Sequence, residues 1–288
     1  MAQAKAADTP LRRQPGLRET LSVDIRLSVL GLFNFFVPKD KGIRRVAVDV
    51  VYGSHPRQRY DVYAPRQISK PLPMLVFFYG GGWSEGGKAH YAWMGHALAA
   101  LGYVVIVPDY RLVPQVLYPD FLNDCAEAVR HAVSKASDYG ADASRLALMG
   151  HSAGAYNAAM LTLDPSYLAN IRVSALVCVS GPFDFYPFDV KASRDTFSAW
   201  PRPLETQPVN HAHQMSTSVL ILQSSADTVV GTHNAVNLEA SLKATGNDVR
   251  LRLYERLSHQ EMAAVFAIPF RGKAPVRSDV AAFLATSV

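Results

Sequence analysis

An α/β protein with a mostly parallel central sheet is the architecture this 288-residue chain should adopt, on three grounds. Short, continuous apolar runs recur along it, of the kind that mark strands buried on both faces. Helical stretches separate those runs, so strand and helix alternate as in a doubly wound sheet. Hydrophobic residues make up 49% and charged residues 18%, which supplies one large core and excludes global disorder.

Residues 1–42 read as an N-terminal arm. Residues 1–16, rich in Ala, Gln, Arg and Pro and without period, are expected to be disordered. Residues 17–37 predict an amphipathic helix, either packed on the body, capping a site, or resting on a membrane surface. No segment is long and apolar enough to span a bilayer. The body, residues 43–288, opens with runs at 46–52 and 59–63 separated by a Gly/Pro-containing turn, an expected antiparallel pair. The apolar runs 74–79, 103–107, 146–149, 175–179 and 219–222 follow, with a last strand at 249–254, making about eight strands. Helices are predicted near 88–101, 118–137, 153–163, 231–245 and 277–286, on both faces of the sheet. Residues 181–217 break the rhythm with five prolines and several aromatics, an irregular insertion of the sort that usually serves function. The chain has no internal repeat and no second domain.

Charge narrows the function. Residues 1–46 carry nine Lys/Arg against four Asp/Glu, and residues 47–288 carry twenty of each, so the net +5 lies entirely in the arm. A nucleic-acid reader would carry a basic face on its body, so that class is set aside. Cys125 and Cys178 stand apart in apolar stretches with no Cys/His cluster around them; they read as buried thiols, fitting a reducing, cytoplasmic setting. No metal and no cofactor is expected. His211 and His213 could form a two-histidine site, but no third ligand stands at a suitable spacing.

The strongest chemical signal is Gly150-His151-Ser152-Ala153-Gly154, directly after a buried strand and before a small-residue helix. A serine at such a strand-to-helix turn needs a strained backbone, and side chains two positions either side would clash with it; glycines relieve both. The second signal is Tyr79-Gly80-Gly81-Gly82-Trp83, after the run 74–79. Consecutive glycines let main-chain amides face inward, as an oxyanion hole requires, and Gly81, Gly82 and Ala153 are the candidate donors. The nucleotide cradles G-x-x-x-x-G-K-[ST] and G-x-G-x-x-G are absent. A serine nucleophile needs a base, and the base an orienting carboxylate. Asp227, just past the run 219–222, is favoured as that acid over Asp184 and Glu255. Of nine histidines only His259 follows the last strand, in Leu257-Ser258-His259-Gln260, and it is the expected base. His151 should point away from Ser152 and pack beside the site, and His233 should lie on the surface. Tyr79, Trp83, Tyr110, His151, Phe183 and Trp200 are the expected substrate-binding residues.

With these residues the chain resembles the α/β-hydrolase fold, within bacterial carboxylesterases similar to hormone-sensitive lipase and the feruloyl-esterase-like group. Besides both glycine motifs, Asp227 and His259, the resemblance rests on residues 109–115, Tyr118-Pro119 and Asp124, and it covers roughly 43–286. It implies Ser152 as nucleophile, His259 as general base and acid, Asp227 as its orienter, and the amides of Gly81, Gly82 and Ala153 as oxyanion donors. Asp109, Tyr110 and Arg111 would brace the loop beneath the site. The chain departs from the family where Tyr79 replaces a usual His and Gln115 a usual Glu. The expected reaction is hydrolysis of small or medium acyl or aryl esters through an acyl-enzyme. An arylformamidase or amidase would use the same triad, and a binding protein that has lost catalysis would keep the fold.

Overall fold

The computed structural model describes residues 29–288. The expectations for residues 1–16 and for most of the arm helix lie outside the described residues. Eight strands form one sheet: β1 (Ile43–Val51), β2 (Arg59–Pro65), β3 (Leu72–Phe78), β4 (Val104–Pro108), β5 (Ala141–His151), β6 (Ala175–Val179), β7 (Ser218–Ser224) and β8 (Val249–Tyr254). Their order is β1-β2-β4-β3-β5-β6-β7-β8. β1 pairs antiparallel with β2, and β2 antiparallel with β4. The remaining pairs are all parallel.

The burial of each strand follows its residue pattern. β4 and β6 are uninterrupted apolar runs and are buried at every position. β1 and β8, at the two edges, carry exposed Arg44, Arg45, Arg250 and Arg252, charges that discourage pairing with another chain. Between the strands lie α2 (Ala92–Ala99), α3 (Asp120–Ser134), α4 (Ala153–Leu163), α5 (Pro165–Leu168), α6 (Lys191–Phe197), α7 (His233–Ala244), α8 (His259–Ala264) and α9 (Val276–Ser287), with α1 (Val29–Phe36) preceding β1. In α3, Phe121, Leu122, Cys125, Ala128, Val129 and Ala132 recur at helical spacing and are buried, while Asn123, Glu127 and Arg130 face solvent. α4 differs: it is buried almost throughout, and its run of Ala and Gly lets it lie close on the sheet.

Chain order reverses between β3 and β5, the neighbours from which the strands proceed in opposite directions across the sheet. Loops leaving the carboxyl ends of strands at such a point part to leave a crevice, where open α/β sheets bind ligands. Both glycine motifs leave the sheet there. An ion cluster built on the buried pair Asp61 and Lys88, with Arg45 and Asp49 exposed at its rim, fastens the antiparallel end of the sheet near them. Asp61 of β2 receives Lys88 Nζ at 2.8 Å, Arg45 Nη1 at 3.1 Å and the Asp49 amide at 2.9 Å. Lys88, just past the glycine loop, also binds Asp49 at 2.6 Å.

The insertion 181–217 is ordered around α6 and packs inward through Phe183 and Phe197. α1 is anchored by Phe33, edge-on to Trp93 at 5.3 Å, and by Asn34, which donates to the Ala89 carbonyl at 2.9 Å. Cys125 and Cys178 are both buried and unbridged. Among the described residues no helix is long and apolar enough to cross a membrane.

Candidate active site

β5 delivers Ser152 into a left-handed conformation, φ 56° and ψ −126°, immediately before α4. A β-carbon on Gly150 would stand 2.0 Å from the Gly154 carbonyl oxygen, and one on Gly154 would stand 2.1 Å from that of Phe78. Only glycine fits at either place, so the G-x-S-x-G spacing has a steric cause here. Strain of this kind persists only where surrounding packing over-determines it, and buried β5, β6 and α4 supply that packing.

Ser152 Oγ lies 2.8 Å from His259 Nε2, and His259 Nδ1 lies 2.8 Å from Asp227 Oδ2. The three residues come from the ends of β5, β7 and β8, and the described structure brings them together without rearrangement. His259, expected just after the last strand, is the first residue of α8. Ser258 caps that helix in a reciprocal box with Glu261, which sets the ring's direction. Asp227 is held by its own turn: Oδ1 accepts from the amides of Val229 and Val230, each at 2.9 Å. Gln223 Nε2, at the end of β7, donates to Asp227 Oδ2 at 3.3 Å and to the Val230 carbonyl at 2.9 Å. Burial alone would raise the Asp227 carboxyl, but the bonds from His259 and from the Val230 and Val229 amides outweigh it and hold it below the ordinary range.

Neither rival acid meets His259, although Asp184 lines the cavity beside Ser152. Asp184 is held by Asn237 Nδ2 at 2.6 Å, and Glu255 is exposed. His211 donates through Nε2 to the Glu205 carbonyl at 2.7 Å, with its Nδ1 3.9 Å from Asp164 Oδ2, and His213 Nδ1 lies 3.0 Å from the His211 carbonyl. Among the described residues no three His, Cys, Asp or Glu side chains gather as metal ligands.

The glycine loop is tightly folded. Gly81 has φ 128°, and a β-carbon there would meet the Glu85 carbonyl at 2.2 Å; Gly82 has φ 55°. Among the described residues the amides of Gly81, Gly82 and Ala153 donate to no protein acceptor. Gly82, Ser152 and Ala153 line one cavity of about 430 Å³. Its other walls come from 182–193 of the insertion and from 229–234 beyond Asp227, with Trp83, Phe185, Val190 and Val229 as the apolar faces.

Of the six expected substrate-binding residues, only Trp83 lines this cavity; five need correction. Tyr79 and Tyr110 are fully buried beneath the loop, stacked with ring centroids 5.2 Å apart. The Tyr79 hydroxyl donates to Asp109 Oδ1 at 2.7 Å and accepts from Arg57 Nη2 at 2.8 Å, so the phenol braces the loop from below. Phe183 is buried in the core. Trp200 lines a separate cavity of about 560 Å³ with Tyr118 and Tyr167. His151 is buried behind the relay, with Nε2 3.0 Å from the His259 carbonyl. No residue of α1 lines the cavity, so its described part is no cap over Ser152. His233 is exposed as expected, but at the cavity mouth. Gln115 is exposed and takes no part in the loop's support.

Arg57 and Gln223 were not legible as site residues. Arg57 Nε also reaches the Tyr110 carbonyl at 2.8 Å and Nη2 the Gly86 carbonyl at 3.0 Å, contacts across more than twenty residues that local pattern does not reveal. Gln223 did carry a signal: it is an amide closing a buried apolar strand four residues before the acid. Asp109 sits beneath the loop as the resemblance implied, whereas the Arg111 side chain reaches Asp124 of α3. Asp109 Oδ1 accepts from the Lys88 amide at 2.7 Å, and Arg111 holds Asp124 through Nε and Nη2, both at 2.8 Å.

The sheet order and the strand-to-helix serine turn define an α/β-hydrolase fold, and solved structures agree. The hyperthermophilic esterase from the archaeon Pyrobaculum calidifontis superposes with a TM-score of 0.74 at 20% identity, over 90% of this chain and 89% of that one. Residues 60–242, more than half the chain, match the BD-FAE family model, and the chain belongs to that family. It is similar to the probable isoprenylcysteine alpha-carbonyl methylesterase ICME of Oryza sativa subsp. japonica, 40% identical over 121 residues, 42% of this chain and 29% of that protein. It is also 26% identical over 247 residues to isoprenylcysteine alpha-carbonyl methylesterase ICME of Arabidopsis thaliana, 76% of this chain and 57% of that protein. The chain thus spans less than two thirds of the length of either relative.

Proposed function

We propose that this protein hydrolyses carboxylic esters through an acyl-enzyme on Ser152. The single observation that carries the reading is the continuous hydrogen-bonded relay from Ser152 through His259 to Asp227. In this scheme His259 Nε2 takes the hydroxyl proton as Oγ attacks the ester carbonyl. The oxyanion of the tetrahedral intermediate accepts from the free amides of Gly81, Gly82 and Ala153. Asp227, kept ionised, fixes the tautomer of His259 and offsets its positive charge. The same imidazole then protonates the leaving alkoxide and draws a proton from the water that releases the acid. The relatives support the choice of bond, since those named above carry esterase names.

A cavity of about 430 Å³ with aromatic and aliphatic faces suits small or medium acyl or aryl esters. The two buried, unbridged thiols fit a cytoplasmic setting. The test mixes the protein with short p-nitrophenyl esters and, separately, with a serine-directed phosphonate. Turnover together with a single adduct on Ser152 is expected. Neither turnover nor adduct would reject the reading.

A further inference from the structure

One buried polar side chain touches both halves of the site, and the reaction just described does not use it. His151 is the last residue of β5, adjacent to Ser152, and its side chain turns away from the cavity. Its Nε2 lies 3.0 Å from the main-chain carbonyl oxygen of His259. A carbonyl can only accept, so Nε2 carries the hydrogen and Nδ1 holds the lone pair. Nδ1 is buried and has no hydrogen-bond partner. It faces Gly80 at the base of the glycine loop, where a β-carbon would stand 3.3 Å from it and 2.9 Å from Ser152 Cβ. The two histidine rings lie 4.8 Å apart between centroids, tilted by 41°.

We propose that His151 is a positioning residue, a strut that pins the main chain of His259 against the floor of the glycine loop. The inference rests on the reading of Ser152 and His259 as nucleophile and base. His259 begins a helix of only six residues, and the first turn of so short a helix is weakly held by its own hydrogen bonds. The Ser258–Glu261 box fixes the residues either side of the ring, while the bond from His151 fixes the carbonyl of the base itself. One imidazole therefore sets the height of the base relative to the elbow, and its other edge rests where the oxyanion donors begin. The groups that act on it are the His259 ring and the Asp227 carboxylate. Burial, then the nearness of His259, pushes His151 down to about 3, so the strut stays uncharged when His259 takes up its proton. A cation at 151 would instead repel the imidazolium on which the reaction depends.

Leucine at 151 fills similar space without a donor, and glutamine retains a donor of similar reach. In His151→Leu the rate of phosphonylation at Ser152 and kcat on a p-nitrophenyl ester should both fall about tenfold, with KM within about twofold, because the base is misplaced and binding is not. His151→Gln should regain most of that loss, and the acid limb of kcat/KM should keep a one-proton slope in every form. Should the leucine variant not fold, His151→Asn replaces it: the shorter amide stops short of the carbonyl, so Asn should be slow where Gln is fast. Wild-type rates in the leucine variant, or equal losses in a folded donor and donor-lacking pair, would overturn the proposal. A wild-type protein that neither turns over ester nor takes the phosphonate would instead overturn the reading beneath it.

Discussion

At position 227 a carboxylate is held by four donors while sitting at the rim of a hydrophobic sheet, and this sets how the site should respond to mutation and to acid. Asp227→Asn would offer an amide where His259 needs an acceptor, favouring the wrong tautomer. Turnover should drop by about three to four orders of magnitude with KM little changed, measured on a p-nitrophenyl ester. Because the folded Asp227 titrates below its unfolded value, its stabilisation is complete above the ordinary carboxyl range and is lost as pH falls through the depressed value. His151 acts in an earlier window. Its folded form resists protonation down to about 3, whereas the unfolded chain takes up that proton near 6.5. Between those values the unfolded state binds one more proton, so acidification destabilises the fold by about 1.4 kcal/mol per pH unit from this group. Urea midpoints compared at pH 7 and pH 5 should fall further in wild type than in His151→Gln; equal falls would refute this. At this scale the sequence singles out Ser152, Asp227 and His259 by their places after strand ends, and the three side chains stand in hydrogen-bond contact. It misassigned Tyr79 and Tyr110, since an aromatic beside a glycine loop lines or underlies it according to contacts from Arg57 and Asp109, which arrive from distant parts of the chain.

Elements carry the next set of consequences. The elbow between β5 and α4 tolerates no β-carbon at either flanking glycine. Gly154→Ala would drive a methyl to 2.1 Å from the Phe78 carbonyl, so the variant should lose stability by more than the roughly 1 kcal/mol of an ordinary helix substitution, or fail to fold, as thermal melting would reveal. Gly82→Ala makes a useful contrast. Its nearest neighbour would be Ala192 Cβ at 3.5 Å, so there is room, but φ 55° strains any side chain. That variant should fold, with about 1–2 kcal/mol less stability, and lose turnover about a hundredfold if its amide swings out of line. The central strands were readable because a segment buried on both faces must be apolar at every position. The edges were blurred, as β1 and β5 run beyond their apolar cores into polar residues that still pair. α8 was missed as a helix because six residues offer too little periodicity, though Ser258 and Glu261 stand at capping-box spacing.

For the whole molecule, the buried pair Asp61 and Lys88, with exposed Arg45 and Asp49 at its rim, joins the antiparallel end of the sheet to the segment that follows the glycine loop. Lys88→Met would leave the fully buried Asp61 with only Arg45 as a cationic partner. The expected cost is about 3–5 kcal/mol in chemical denaturation, far above that of a surface pair such as Lys243–Glu239. That cluster was invisible in advance, because its members are spread over more than forty residues and meet only once β1 and β2 fold back. The insertion 181–217 was legible as a departure from the strand-helix rhythm, but its division of labour was not: Phe183 and Phe197 turn to the core, Phe185 to the cavity, Trp200 to another hollow.

The relay stands on the sheet, whereas much of the cavity wall belongs to one contiguous stretch, residues 182–193. On the function proposed above, chemistry and selectivity are written in separable parts of the chain. Replacing that stretch by one of different length or bulk should alter which acyl groups are accepted while leaving the phosphonate reaction at Ser152 intact, making this protein a natural chassis for exchanging specificities.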